Sequence, residues 1–427
     1  MDAKSIIENK RNKKELTSEE IRHFISKYNK GDISDVQMGA LITLINSNGI
    51  TEEEIIEFTK AISETGKMMN LSEISKDIID IHTIGGIEDK VSIILTCAIS
   101  SLGIPTAKIA GRELGLCDKL QTIPGYNAEV SVTEFEEIIK KNGIGIIGEP
   151  NELAPVENKI YKVRNEIACM DNISLTAIGI MATKIALGAR NIIFNISFGE
   201  STYIKTKEDA KRLAKLFVQI GKYFDKAVKC IITDYNEPLG HTFGNIIEID
   251  EVIKCLKGDM PENIKELVLE LGNKYMSLLD YGKSANKNKQ AILDAIESGK
   301  VYEKFLELIK AHHGDINAIE DIKKAKIIIP VFAEVDGYVK KIDIDIVRSI
   351  AIYLNAIRVN KGKKLDIGAG IVFNKKIGDA VQVGEILAYI HTNDEEKVKG
   401  AVENLKDAFV ISKKKVELSP RVVDFIE

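Results

Sequence analysis

The sequence predicts an α/β protein with a small all-helical N-terminal lobe, a larger α/β domain around a central mixed sheet, and a C-terminal α+β domain. Three patterns carry that expectation: capping boxes ahead of helical apolar spacing before residue 66, strand-then-helix alternation from Ile78, and short strands with turns beyond Ile327.

In the N-terminal stretch Thr17 stands three residues before Glu20, ahead of Ile21, Phe24 and Ile25, and Thr51 stands likewise before Glu54, ahead of Ile55, Phe58 and Ile62. Such pairs satisfy amides that a helix start leaves bare, so each marks a helix N-terminus. From Ile78 an apolar run ends at His82, a glycine-bearing loop spans Thr83 to Asp89, and Val91 to Leu102 resumes helical spacing. The same alternation recurs at 143–148 and at 191–196, followed by a helix from Thr206 that places Leu213, Leu216, Phe217 and Ile220 on one face. Another strand is expected to end near Asp234. These units build a central mixed or parallel sheet with ligands outside the carboxyl ends of its strands. Beyond Ile327, Val335 to Val339 and Ile377 to Leu387 read as strands and turns, similar to the barrel-sandwich fold of lipoyl and biotinyl carriers. No lysine stands in a carrier-type hairpin, so a structural role is expected.

With 427 residues, 44% hydrophobic, the chain has material for two or three cores. A net charge of -5 with 29% charged residues supplies no basic field for nucleic acid. No apolar run approaches the roughly 20 residues that span a bilayer, and Met1 to Glu8 lacks the apolar core of a secretion signal. The five cysteines, Cys97, Cys117, Cys169, Cys230 and Cys255, are widely spaced and fit free thiols in a reducing compartment. Cytoplasm is the expected location, with neither nucleic acid nor membrane as partner.

The loop from Asp80 to Asp89 has the ingredients of an anion site: glycines that allow close backbone approach and a following helix with bare amides and a positive dipole end. Phosphate is its natural guest, with Thr83, Gly85, Gly86 and Ser92 as the binding group. His312-His313 stands near Asp315 without other ligands at a metal spacing, so a solvated helix end is expected there. Lys413-Lys414-Lys415 reads as a solvated face.

Further matches lie in order along the chain: Asp35-Val36-Gln37-Met38 with Ala40-Leu41; Asp80, His82, Gly85-Gly86 and Asp89; Gly111-Arg112; Asp118-Lys119-Leu120 with Ile123-Pro124-Gly125; Arg164; Ile180-Met181 with Lys184; Pro238-Leu239-Gly240 with Gly244-Asn245; and Lys375 to Asp379. Through them the sequence resembles the pyrimidine-nucleoside and thymidine phosphorylase family over essentially its whole length. The resemblance implies a helical lobe from 1–66 with 160–190, an α/β domain from 67–159 with 191–326, a C-terminal domain from 327–427, and a homodimer paired through the helical lobe. It implies phosphorolysis of pyrimidine nucleosides or deoxynucleosides to base and pentose 1-phosphate, a pentosyltransferase reaction. No organic cofactor is expected, but the resemblance implies an alkali cation with Glu251 as its carboxylate ligand.

Carried across by position, His82 would donate to the leaving base, Arg164 would present a fork to the pyrimidine carbonyl edge, and Lys184 would supply a further donor. The plainer reading of Arg164 is an interdomain ion pair, and that of Lys184 is an amine reaching solvent from an amphipathic helix. The sequence also departs from the family pattern. D-K-H-S-T-G-G becomes Asp80-Ile81-His82-Thr83-Ile84-Gly85-Gly86, and S-x-x-x-K-K becomes Gly179 to Lys184 with Thr183 at the first lysine. The second phosphate loop shortens to Ala110 to Cys117, and Glu88 and Glu113 bring negative charge where an anion would dock. Two readings therefore stand: a phosphorylase with a divergent phosphate site, or one acting on a different nucleoside or acceptor; and a catalytically silent relative that binds a nucleoside or a protein partner.

Overall fold

The computed structural model describes residues 2–86, 89–110, 115–279, 284–319, 324–357, 365–418 and 420–427. Helices α1 (Ala3–Arg11), α2 (Ser18–Lys30), α3 (Asp35–Asn48) and α4 (Glu52–Ser63) open the chain. Thr17 Oγ1 accepts from the Glu20 amide at 3.2 Å while the Glu20 carboxylate accepts from the Thr17 amide at 2.9 Å, and Thr51 with Glu54 repeats the exchange. Ser34 and Gln37 form a third such box at the start of α3. Glu54 also accepts from the buried Lys10 ammonium at 2.7 Å, tying α1 to α4. The apolar faces so aligned bury Ile21, Phe24, Ile55, Phe58 and Ile62, each contributing about 1.5–3 kcal/mol.

After the short α5 (Leu71–Ile74), the α/β domain follows as β1 (Ile79–Ile84), α6 (Lys90–Ser101), β2 (Thr106–Ala110), α7 (Leu116–Leu120), α8 (Val132–Asn142) and β3 (Ile144–Gly148). The chain then re-enters the helical lobe as α9 (Pro155–Glu166) and α10 (Ile173–Leu187), which pack on α3 and α4, and returns as β4 (Asn191–Phe198), α11 (Lys207–Tyr223), β5 (Ala227–Asp234) and β6 (Thr242–Gly244). Four helices, α12 (Ile246–Leu256), α13 (Glu262–Leu278), α14 (Ala285–Glu297) and α15 (Lys300–Ala311), complete the domain.

The C-terminal part comprises β7 (Ile327–Phe332), β8 (Gly337–Ile342), α16 (Ile344–Tyr353), β9 (Gly370–Phe373), β10 (Ala380–Val381), β11 (Ile386–Thr392), α17 (Val398–Asp407), β12 (Phe409–Ser412) and β13 (Val422–Ile426). Its two antiparallel sheets run β10-β8-β12 and β6-β9-β11-β7, so β6 is lent by the preceding domain. In return β13 leaves the C-terminal part and pairs antiparallel with β5.

The central sheet runs β13-β5-β4-β1-β2-β3, with every pairing except β13–β5 parallel. Strands buried on both faces read as unbroken apolar runs, as Ile144 to Ile147 and Ile192 to Phe194 do. One face packs with α8, α11 and the helical lobe around Phe194, Phe217 and Ile147, and the other packs with α6 and α12–α15 around Ile81, Ile93 and Tyr275. Parallel pairing sends the carboxyl ends of β1, β2 and β4 to one side, where the cleft lies. No helix among the described residues is long and apolar enough to cross a membrane.

Candidate active site

A cleft of about 350 Å³ opens at the carboxyl end of β1. Alternation along that strand decides what reaches it. Ile81 faces α6 and is buried in the core, while Asp80 and His82 face α10. The family-pattern lysine position thus points into hydrocarbon here. Asp80 is fully buried and accepts from Lys184 Nζ of α10 at 2.8 Å. Lys184 does not reach solvent: it lines the cleft, and its burial pulls the ammonium below its usual range against the opposing pull of Asp80. The half-buried His82 packs edge-on to Phe194, and its buried Nδ1 has no hydrogen-bond partner among the described residues. Burial, then the positive fields of Lys184 and Lys108, hold the imidazole well below its usual range, so it is neutral at physiological pH.

The anion group assembles around the turn after β1. Gly85 has φ +95°, and a Cβ there would collide with the Ser197 carbonyl, so glycine alone fits. Thr83 Oγ1 and Ser92 Oγ lie 3.1 Å apart, and Ser92 donates in turn to Asp89. The other Asp89 oxygen meets Lys108 Nζ at 3.1 Å, and Lys108 also donates to the Ile81 carbonyl at 3.1 Å. An ammonium from β2 therefore stands beside the hydroxyl pair although Ile81 cannot supply one. Sequence reasoning passed over Lys108, yet a single charge inside a strand buried at every position was the signal. Gly111, Arg112, Glu113 and Glu88 lie outside the described residues.

Arg164 departs from expectation. Its guanidinium, 2% exposed, donates to the carbonyls of Cys169, Met170 and Asn172 and to Thr176 Oγ1, fastening the α9–α10 connection, and it does not line the cleft. The α9–α10 wall presents Glu157, Tyr161, Gly179 and Thr183 instead. A Cβ on Gly179 would lie 2.6 Å from Glu157 Cδ, so the carboxylate occupies the space of the missing serine side chain. Thr183 Oγ1 donates to Glu149 at 3.1 Å. The opposite rim carries Tyr203 and Lys205 after β4, with Asp345 and Arg348 from α16. Asp345 and Arg348 were not singled out from sequence, because only the fold brings α16 to the cleft.

Glu251 of α12 does not offer an alkali cation a free carboxylate. One oxygen accepts from the His241 amide at 2.6 Å; the other accepts from Thr242 Oγ1 at 2.7 Å and from Lys90 Nζ at 2.6 Å. His312 is likewise not a solvated helix end. It is fully buried, its Nε2 accepts from the Ile146 amide at 3.3 Å, and burial lowers its pKa to about 4. Only His313 is exposed, paired with Glu134. Among the described residues no group of three or more metal-ligating side chains forms.

Comparisons with known proteins agree with this architecture. Residues 4–66 match the helical bundle domain of the glycosyl transferase family, residues 75–302 its a/b domain, and residues 338–412 the pyrimidine nucleoside phosphorylase C-terminal domain. The pyrimidine-nucleoside phosphorylase of Geobacillus stearothermophilus is 37% identical over 428 residues, covering 99% of each chain. The chain belongs to the pyrimidine-nucleoside phosphorylase family. Another member, from Staphylococcus epidermidis, is 35% identical over 398 residues, 92% of each chain. Anthranilate phosphoribosyltransferase from Thermus thermophilus shares the fold alone, with a TM-score of 0.58 at 15% identity over 73% of this chain and 99% of that one. In this chain's cleft His82 and the Gly85-Gly86 turn stand with an α9–α10 wall that carries one carboxylate, Glu157.

Proposed function

We propose that this chain catalyses phosphorolysis of pyrimidine nucleosides, in which phosphate displaces the base from C1′ and gives free base and a pentose 1-phosphate. The observation that carries the reading is the Gly85-Gly86 turn lining one cleft with a neutral His82, backed by the Thr83, Ser92, Asp89 and Lys108 cluster that begins at the residue after His82. A phosphate oxygen forms the new C1′–O bond as the C1′–N bond breaks, and the electron pair leaves on the base. Positive charge growing on the sugar is stabilised by the phosphate held at the turn, and negative charge growing on the base needs a fixed donor. A neutral imidazole offers one N–H for that purpose. Lys184, held by Asp80, adds a positive field behind it. Arg164 is a positioning residue in this scheme, since its hydrogen bonds shape the α9–α10 wall.

A homodimer paired through the helical lobe belongs to the same proposal. Val36, 82% exposed on α3, and Ile167, 39% exposed after α9, are apolar groups that such a contact would cover. Cytoplasm as the working compartment is supported by five cysteines that form no disulfide.

Incubation of the protein with uridine, thymidine and cytidine, each with and without phosphate, tests the reaction. Free base and pentose 1-phosphate are expected in equal amounts and only with phosphate. Binding of nucleosides by calorimetry with no base released from any of them would return the silent-relative reading.

A further inference from the structure

Lys90 is the first residue of α6, immediately behind the glycine turn, and it is 0% exposed. Its ammonium donates to the carbonyls of Leu239 at 2.9 Å and Thr242 at 2.6 Å, to Thr242 Oγ1 at 3.2 Å and to Glu251 Oε2 at 2.6 Å. A second carboxylate, Glu248, stands 3.9 Å away. Backbone carbonyls, a hydroxyl and a carboxylate converging on one point form the all-oxygen donor set of a hard cation. Here a covalently attached ammonium fills it.

We propose that the Lys90 ammonium is a built-in replacement for an alkali cation, so that the phosphate turn is organised without one from solution. Two further observations support this. Gly240 has φ +66°, and a Cβ there would lie 2.5 Å from Glu251 Oε2, so glycine lets the 238–242 loop close on the carboxylate around the ammonium. Among the described residues the buried charges here also balance: Lys90 and Lys119, which meets Glu248 at 3.4 Å, stand against Glu248 and Glu251. A dissolved cation added to this set would be an uncompensated buried charge. By clamping the first residue of α6 to the 238–242 loop and α12, Lys90 fixes the start of the helix that carries Ser92 of the anion group.

The test reads stability and stands apart from any activity. Melting temperatures are measured in potassium, sodium and tetramethylammonium chloride at matched ionic strength, for the native chain and for Lys90→Ala and Lys90→Met. The native chain should melt within about 1 °C in all three salts, because its cation cannot dissociate. Both variants should melt lower in tetramethylammonium, by roughly 10 °C, since Glu251 loses its partner. Potassium should recover much of that loss in Lys90→Ala, which leaves room in the cage, and none in Lys90→Met, which fills it. A native chain stabilised by several degrees in potassium overturns the proposal, as does a folded Lys90→Ala that ignores every alkali cation. Should neither variant fold, the native chain's salt series decides alone.

Discussion

Burial first, then the fields of two ammoniums, Lys184 and Lys108, keep the His82 ring uncharged. In the proposed reaction it would donate through the N–H of that neutral ring, while acid acts on the fold through another histidine. His312 shows how. Its buried Nε2 accepts from the Ile146 amide, and its pKa of about 4 lies below the ordinary 6.5. As pH falls below 6.5 the unfolded chain takes up a proton that the folded chain refuses until about pH 4, so stability present above 6.5 drains away across that window. The loss from this group reaches about 3 kcal/mol. Urea unfolding of the native chain and His312→Gln at pH 7 and pH 4.5 checks it: the variant should start less stable and lose less on acidification. At this scale the sequence was partly legible. His82 could be read because it ends an apolar strand ahead of two glycines, whereas Lys108 could not be paired with it until β1 and β2 were laid side by side. Glu251 looked available to a cation because nothing in the linear order placed Lys90 against it, 161 residues away.

The α9–α10 pair departs from the family pattern at Gly179 and Thr183. Gly179 on α10 exists in contact with Glu157 on α9, and restoring the family's serine would force the two together. Gly179→Ser should destabilise the protein by about 1–3 kcal/mol through overpacking. Glu157→Ala should relieve that cost, so the double variant is more stable than the sum of the single effects. Chemical denaturation of the four proteins reads the coupling, and strict additivity would separate the two residues. Helix starts were the most legible elements, because capping boxes are local exchanges between residues three apart. The role of Arg164 was not, since an arginine within a helix gives no sign that its partners are the carbonyls of the following loop.

Across the whole molecule, the cleft draws walls from all three parts of the chain, with the helical lobe on one side and Asp345 and Arg348 of the C-terminal part on the other. Arg348 donates to the Ser201 carbonyl at 2.9 Å, and Lys341 pairs with Glu200, so the C-terminal part grips the loop after β4. Strand exchange reinforces the grip, with β6 pairing outward to β9 and β13 pairing back to β5. Removing residues 421–427 should lower the melting temperature by roughly 5–10 °C, through lost ladder hydrogen bonds and the lost Lys211–Asp424 pair. An unchanged melting curve would mean that β13 carries no weight. The fold class, helical lobe, α/β domain and C-terminal strands, was readable from periodicity, which is set locally. The exchange of β6 and β13 was not, because a lone short strand carries no mark of which sheet it joins.

The account rests on a phosphate held by Thr83, Ser92 and Lys108 in place of the family's first-loop lysine. Steady-state kinetics of uridine cleavage by the native chain and Lys108→Met test it most directly. Loss of one charge-assisted contact should raise the KM for phosphate by about 10- to 100-fold while leaving the KM for uridine within about twofold. Equal phosphate KM values in the two proteins, or uracil release that does not depend on phosphate at all, would contradict it.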